Sequence, residues 1–347
     1  MRAHLSAVLL LLCANSLAQA PVAPPPQLVE PALDRREAGP NKVASFLATW
    51  RDEARAREVP VKIWHPQGDG PFPVIVFSHG LGGTREGYAF LGKHWASWGY
   101  VCVHVQHIGS DDALWRGNPK PMEAMQAATT SLDNLLGRPK DISFAIDELT
   151  RRNALEAWPL QGKLDLAALG VAGHSFGAYT TLCSAGRVLV GPTSQRYEVA
   201  DRRVKAAIAM SPQGYERERT NGTWSSFATP CFHMTGTKDS SPIVGDSKPE
   251  ERRIPFDVID KCEQYLLILE GAQHMAFSDA GRGGRNPAHW PLILSSSTAF
   301  WDAELKGDAK ALAWLRDGAF AAVLDKQGTL ERKAAKSPAS DAGPTAK

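Results

Sequence analysis

The chain has 347 residues, 43% of them hydrophobic, enough to bury a sizeable core in one large domain or two small ones. Thirty-nine Lys and Arg against thirty-seven Asp and Glu leave a formal charge of +2, without a long run of one sign. That balance excludes a phosphate-binding face, and with it nucleic acid as a partner.

Residues 1–20 have the layout of a secretory signal: Arg2, an apolar stretch over 5–12, then small residues through Ala20. The stretch is well short of the roughly 20 residues that cross a bilayer, and no later one is long enough. The expectation is therefore a secreted or periplasmic protein with no membrane span after signal removal. Residues 21–40 are rich in proline and poor in large apolar side chains, as a solvated linker is, and 333–347 read as a disordered tail. A single domain over 41–332 is expected between them.

Within it, short apolar runs rich in β-branched residues alternate with segments of helical period. This predicts an α/β fold with a mainly parallel central sheet and helices on both faces. Strands are expected at 59–64, 73–78, 100–106, 168–173, 204–210, 231–235 and 265–270, their near-continuous hydrophobicity implying burial on both sides. Tyr88, Leu91, Trp95 and Trp98 form one helical stripe, and Ile142, Ala145, Ile146 and Leu149 another. Helices over 292–305, opening after Pro291, and 310–315 complete the cover.

The first chemical signal is Phe77-Ser78-His79-Gly80-Leu81-Gly82-Gly83, a glycine-rich turn closing an apolar strand. No Lys-Ser or Lys-Thr follows it, so it is not a phosphate cradle. A turn here suits one backbone donor of an oxyanion hole, assigned to Leu81, with His79 bracing the loop.

The second is Gly173-His174-Ser175-Phe176-Gly177, between an apolar strand and the small-residue stretch 178–185. A bare Gly-x-Ser-x-Gly is common by chance, but a strand-to-helix setting is what a nucleophile elbow requires. It makes Ser175 the candidate nucleophile and Phe176 the second oxyanion donor. The two donors receive the charge of a tetrahedral intermediate.

A serine hydroxyl needs a histidine to remove its proton, and that histidine needs a carboxylate. Asp239 follows the strand at 231–235 and His274 follows the strand at 265–270, in the chain order acid, then base. His107, His174 and His289 compete for the base, Asp246 and Asp257 for the acid. The chain shows no tight cluster of zinc ligands, and no cofactor is implied. Cys102 and Cys183 read as buried thiols, whereas Cys231 and Cys262 flank a late βα unit, and whether they pair depends on a Cα separation that sequence does not supply.

Taken together, the turn at 76–82, the elbow at 173–177, Asp239 and His274 resemble the secreted platelet-activating factor acetylhydrolases and the wider dienelactone hydrolase and polyester-hydrolase group, over about residues 55–305. The resemblance implies an α/β-hydrolase fold, a Ser-Asp-His triad, an oxyanion hole at Leu81 and Phe176, and cleavage of esters with short or modified acyl groups. Two departures bear on substrate. The elbow carries serine where dienelactone hydrolases carry cysteine, and Leu81 stands where cutinase-type polyester hydrolases have an aromatic residue, with Tyr215 in place to supply their second one.

The expected function is thus an exported serine carboxylesterase acting on a small-molecule or polymeric ester, with a cutinase-like polyester hydrolase as the alternative. A serine peptidase is a further alternative on the same fold, although peptidases of this kind carry an extra propeller or lid for which there is no room. A non-catalytic binding protein would not need all three polar groups in order. Substrate contacts are expected from loops 108–115, 213–224 and 275–277, with Trp115, Gln213, Tyr215 and Met275 as candidates and Asp111 and Asp112 beside Trp115. The pair Arg252-Arg253, in the polar stretch 241–256, reads as a solvated charge pair more readily than as an anion-reading flap.

Overall fold

The computed structural model describes residues 35–191, 193–241, 243, 248–279 and 288–336. The signal, most of the linker, Asp246 and the last eleven residues (337–347) lie outside the described residues.

The strands are β1 (Val43–Asp52), β2 (Arg57–Pro66), β3 (Phe72–Ser78), β4 (Val101–Val105), β5 (Leu164–His174), β6 (Leu189–Val190), β7 (Arg196–Tyr197), β8 (Ala206–Met210), β9 (Cys231–Lys238), β10 (Gln264–Gln273) and β11 (Gly328–Lys333). The helices are α1 (Ala89–Ser97), α2 (Pro121–Thr130), α3 (Leu132–Asn153), α4 (Phe176–Ala185), α5 (Ile254–Val258), α6 (His289–Lys306), α7 (Ala309–Arg316) and α8 (Ala319–Leu324). Nine strands form one sheet in the order β1-β2-β4-β3-β5-β8-β9-β10-β11, and β6 pairs with β7 in a separate hairpin. From β4 to β10 the sheet is parallel, while β1, β2 and β11 join it antiparallel.

Every strand expected from sequence is present, and two more extend the sheet. Both are edge strands. β1 exposes alternate residues and β11 (GTLERK) is mostly polar, so neither shows the continuous apolar run that marks the centre. β11 reaches Lys333, one residue into the segment expected as a tail. α6 opens at His289, two residues before Pro291, and runs to Lys306.

Side chains alternate across the pleat, so each central strand feeds two cores. Ile75 and Phe77 pack on one face with Leu91 and Trp95 of α1, Phe300 and Trp301 of α6 and Trp314 of α7. Val74 and Val76 pack on the other with Ile142, Ile146 and Leu149 of α3 and Leu182 of α4. Because the central strands run the same way, their C-terminal ends open on one rim, where such sheets collect ligand chemistry. The four described cysteines are buried and unbridged; the Cys262 thiol instead donates to the Thr229 carbonyl at 3.1 Å.

Candidate active site

β5 ends at His174 and α4 begins at Phe176, leaving Ser175 alone in the turn with φ 57° and ψ −117°. That left-handed conformation costs about 1–3 kcal/mol for a residue with a Cβ and must be held by its surroundings. It is held by close backbone contact. The Ser175 N–H donates to the Met210 carbonyl at 2.9 Å, and the neighbouring chain lies so near that a Cβ on Gly177 would fall 1.9 Å from the Ser78 oxygen, and one on Gly173 2.3 Å from the Gly177 oxygen. The Phe176 N–H opens the helix, so it has no intrahelical acceptor.

Asp239 directly follows β9 and His274 directly follows β10, two adjacent strands on the side of β5 where β8 lies. Their side chains meet Ser175. His274 Nε2 is 2.8 Å from Ser175 Oγ, and His274 Nδ1 is 2.8 Å from Asp239 Oδ1. The carboxylate accepts the Nδ1 proton, which leaves the Nε2 lone pair facing the serine hydroxyl.

Asp239 is fully buried and also accepts from Thr235 Oγ1 at 2.9 Å. Burial alone would raise its pKa. The His274 hydrogen bond and the nearby Arg252 charge outweigh burial and hold the carboxyl well below the ordinary carboxylate range. Arg252 Nε lies 3.4 Å from Asp239 Oδ1, and the side chain is 1% exposed. The solvated pair expected at Arg252-Arg253 is therefore half wrong. Arg253 is partly exposed and bonded to Asp257 and Glu331, whereas Arg252 sits behind the acid. Adjacent residues on a tight helical turn point in different directions, and two identical side chains give no hint of which goes inward.

The rivals among the described residues are engaged elsewhere. Asp257 pairs with Arg253, and Asp246 lies outside the described residues. His289 bonds the Glu270 carbonyl at 3.0 Å from the start of α6. His174 links the two loops that flank Ser175. Its Nδ1 accepts from Tyr88 Oη at 2.9 Å, while its Nε2 donates to the His274 carbonyl at 2.8 Å. Tyr88 Oη in turn accepts from the Gly80 N–H at 3.2 Å.

His107 belongs to a second Ser-His-Asp string. Ser78 Oγ is 2.9 Å from His107 Nε2, and His107 Nδ1 is 3.0 Å from Asp141 Oδ2. All three are sealed from solvent, so no substrate reaches them. Burial, with the charge of Arg138, pulls His107 down to about 3 and keeps it neutral. This string is a brace for the turn at 78–83.

Arg138, from the inward face of α3, completes the brace. Its guanidinium donates to Thr180 Oγ1 and Ser110 Oγ at 2.8 Å each, to Ser78 Oγ at 3.0 Å and to the His79 carbonyl, and it lies 4.5 Å from the centre of the Phe176 ring. His79 Nδ1 donates to the Gly80 carbonyl at 2.6 Å, and its Nε2 accepts from the His107 N–H at 3.0 Å. Leu81 thus sits in a turn clamped on both sides. Arg138 is not legible in the sequence, because a charged residue one turn from an apolar stripe ordinarily faces water.

Two cavities lie on either side of Phe176 and Thr129, and Ser175 lines one of them. A cleft of about 300 Å³ is lined by Leu81, Trp115, Ser175, Phe176, His274 and Met275, among others. A second cavity of about 490 Å³ is lined by Phe176, Tyr179, Gln213 and Tyr215, with the β6–β7 hairpin along one side. The four expected substrate contacts are divided between them: Trp115 and Met275 face the cleft, Gln213 and Tyr215 the second cavity. Trp115 is 46% exposed and donates from Nε1 to the Gly82 carbonyl at 2.8 Å. Asp111 and Asp112 line neither cavity. Asp111 is buried and accepts from Gln106, and Asp112 pairs with Arg116.

Comparison with known proteins bears on the fold and on the class of reaction. The family model "Platelet-activating factor acetylhydrolase, isoform II" matches residues 55–116, a span that holds β2, the glycine-rich turn at 78–83 and Trp115. Cutinase 1 of Thermobifida cellulosilytica is 25% identical over 272 residues, covering 77% of this chain and 83% of that protein. A cutinase of Thermobifida fusca is 25% identical over 272 residues, covering 77% of this chain and 72% of its own. Bis(hydroxyethyl) terephthalate hydrolase of Streptomyces coelicolor is 24% identical over 219 residues, covering 62% of this chain and 54% of its own. The chain is an α/β-hydrolase, similar to the platelet-activating factor acetylhydrolase and polyester-hydrolase group, and a serine hydrolase acting on carboxylic ester bonds.

Proposed function

We propose that the chain is an exported esterase that cleaves polyesters and their soluble diester fragments, with Ser175 as nucleophile, His274 as base, Asp239 as its partner, and the Leu81 and Phe176 amides as oxyanion hole. The observation that carries this reading is the unbroken hydrogen-bond string from Asp239 through His274 to Ser175 on an open rim. Ser175 Oγ attacks the ester carbonyl as His274 Nε2 takes its proton. The tetrahedral oxyanion forms against the two amides. Its collapse expels the alcohol, which takes the proton from His274, and water then repeats the sequence on the acyl-enzyme.

Several features support a polymeric substrate. The relatives include cutinases and a terephthalate diester hydrolase. The cleft is open to solvent along an exposed tryptophan, a surface on which a flat ring or an extended chain can lie. Export is supported by the signal layout of residues 1–20.

Fluorophosphonate labelling tests the nucleophile: wild type should label and Ser175→Ala should not. Release of terephthalate monoester from bis(hydroxyethyl) terephthalate, measured beside p-nitrophenyl acetate, tests the substrate class. Labelling of the alanine variant at the wild-type rate would remove the nucleophile assignment. Acetate cleavage without any diester cleavage would reduce the proposal to a small-ester esterase.

A further inference from the structure

We infer that Arg252 is a positioning residue of the reaction: its buried guanidinium fastens the loop that carries Asp239 to the strand end that anchors Ser175, and so places the acid relative to the nucleophile. The inference rests on the esterase reading above and adds to it a residue outside the Ser-His-Asp set.

Arg252 lies in the helical turn Pro249–Arg253, in the connection between β9 and β10, and is 1% exposed. Its guanidinium reaches two loops at once, as a planar fork of donors can. Toward the loop after β9, Nε donates to the Asp239 carbonyl at 3.2 Å and lies 3.4 Å from Asp239 Oδ1. Toward the loop after β8, Nη1 donates to the Ser211 carbonyl at 3.2 Å and to the Pro212 carbonyl at 3.3 Å.

The loop after β8 begins at the anchor of the nucleophile. Met210, the last residue of β8, accepts the Ser175 N–H at 2.9 Å, and Ser211 follows in a left-handed conformation, φ 51°. A residue with a Cβ keeps that conformation only where its surroundings hold it. The Ser211 N–H donates to the Met234 carbonyl at 2.7 Å, and its carbonyl is one of the two that Arg252 engages. The same loop presses on the turn that carries Arg252, since a Cβ on Gly214 would stand 2.6 Å from the Glu251 carbonyl oxygen.

β8 sits inside the sheet between β5 and β9, so it is the fixed side of this bridge and the Asp239 loop is the placed side. His274 contacts both ends of the string, at 2.8 Å to Asp239 and 2.8 Å to Ser175, and a shift of the Asp239 loop lengthens one contact or the other. Displacements of about 1 Å in such constellations cost on the order of 10²-fold in rate. The two buried ions also sustain each other. Burial would raise the Asp239 carboxyl, and the His274 hydrogen bond with the Arg252 charge reverses this; burial pulls the Arg252 guanidinium down, and the Asp239 carboxylate opposes it. Arg252 lines neither cavity, so it acts through Asp239 and not on the substrate.

The test is a cycle of four purified full-length proteins on p-nitrophenyl acetate: wild type, Arg252→Met, Asp239→Asn and the double variant. Arg252→Met is expected to lower kcat about tenfold or more and to leave KM within about twofold. In the Asp239→Asn background no carboxylate remains to be placed, and the same substitution should change kcat by less than about threefold. Rates of fluorophosphonate labelling, which report Ser175 and its base without turnover, should show the same pattern. An equal fractional loss in both backgrounds, a loss carried by KM, or a methionine variant with kcat within about twofold of wild type overturns the inference. If circular dichroism shows that Arg252→Met does not fold, Arg252→Gln takes its place with the same expected direction. A wild-type chain that neither labels with fluorophosphonate nor cleaves the acetate would defeat the esterase reading itself, a result distinct from those above.

Discussion

Replacing Arg138 with methionine should loosen the turn at 78–83 without touching Ser175 or His274. Methionine keeps the length of the side chain over Phe176 and removes the donors. Four acceptors lose a partner: Thr180 Oγ1, Ser110 Oγ, Ser78 Oγ and the His79 carbonyl. The three hydroxyls are less affected, because each keeps a bond of its own, to the Phe176 carbonyl, the His107 carbonyl and His107 Nε2. The His79 carbonyl loses its guanidinium donor, and an unsatisfied buried group costs about 1–3 kcal/mol.

Loss of the charge over the Phe176 ring adds up to about 2 kcal/mol, and relief from burying a guanidinium offsets part of the total. The net is about 3 kcal/mol, read as a drop in the urea midpoint. The same carbonyl lies two residues before Leu81. If the Leu81 amide is the oxyanion donor proposed above, a displaced turn weakens it, and kcat on p-nitrophenyl acetate should fall by about 10- to 100-fold, part of the loss expected when such a donor is removed outright. KM should change little, since the donor acts in the transition state. Arg138→Lys should recover part of the stability but little of kcat, because an ammonium cannot span the four acceptors. A methionine variant with the wild-type urea midpoint and kcat within twofold would refute the bracing role.

Acid sensitivity should be pronounced. Burial pulls His94, His104 and His233 down to about 4, His107 and His174 to about 3, and His79 well below its usual value. The unfolded chain binds protons at these positions below about pH 6.5, and the folded chain does not, so stability present above that pH is lost as pH falls toward 4. Each histidine contributes up to about 1.4 kcal/mol per pH unit, and a urea midpoint that stays level from pH 7.5 to 5 would contradict the burial. Asp239→Asn should lower kcat by about 10⁴-fold with the fold retained, since an amide carries no charge to hold the imidazolium and its NH2 can donate to Nδ1 and fix the wrong tautomer; activity within tenfold of wild type would displace Asp239 as the acid. Gly177→Ala would set a Cβ 1.9 Å from the Ser78 oxygen, so it should yield little soluble protein or a melting temperature lowered by several degrees, and a wild-type melting curve would show that the elbow is looser than described.

The residues that announce themselves in sequence do so through local physics. A parallel strand buried on both faces must be apolar throughout, so β3, β4, β5, β8, β9 and β10 are readable as runs, and their alternation with helices points to one sheet. A serine forced into a left-handed turn between strand and helix needs small neighbours, and Gly173 and Gly177 mark it. Asp239 and His274 are readable because each follows such a run directly. The edge strands β1 and β11 escape the same test, since an edge buries only one side and its sequence stays mixed.

What sequence does not hold is the direction a polar side chain takes. Whether Arg252 turns toward Asp239 or toward water, and whether Arg138 leaves the solvent face of its helix, depends on partners drawn from elsewhere in the chain. The division of Trp115, Met275, Gln213 and Tyr215 between two cavities likewise follows from how the β6–β7 hairpin and the loop after β8 pack beside Phe176. Apolar periodicity is a property of neighbours in the chain and can be read there. The cost of burying a charge is met by groups far apart in the chain, and only the folded molecule brings them together.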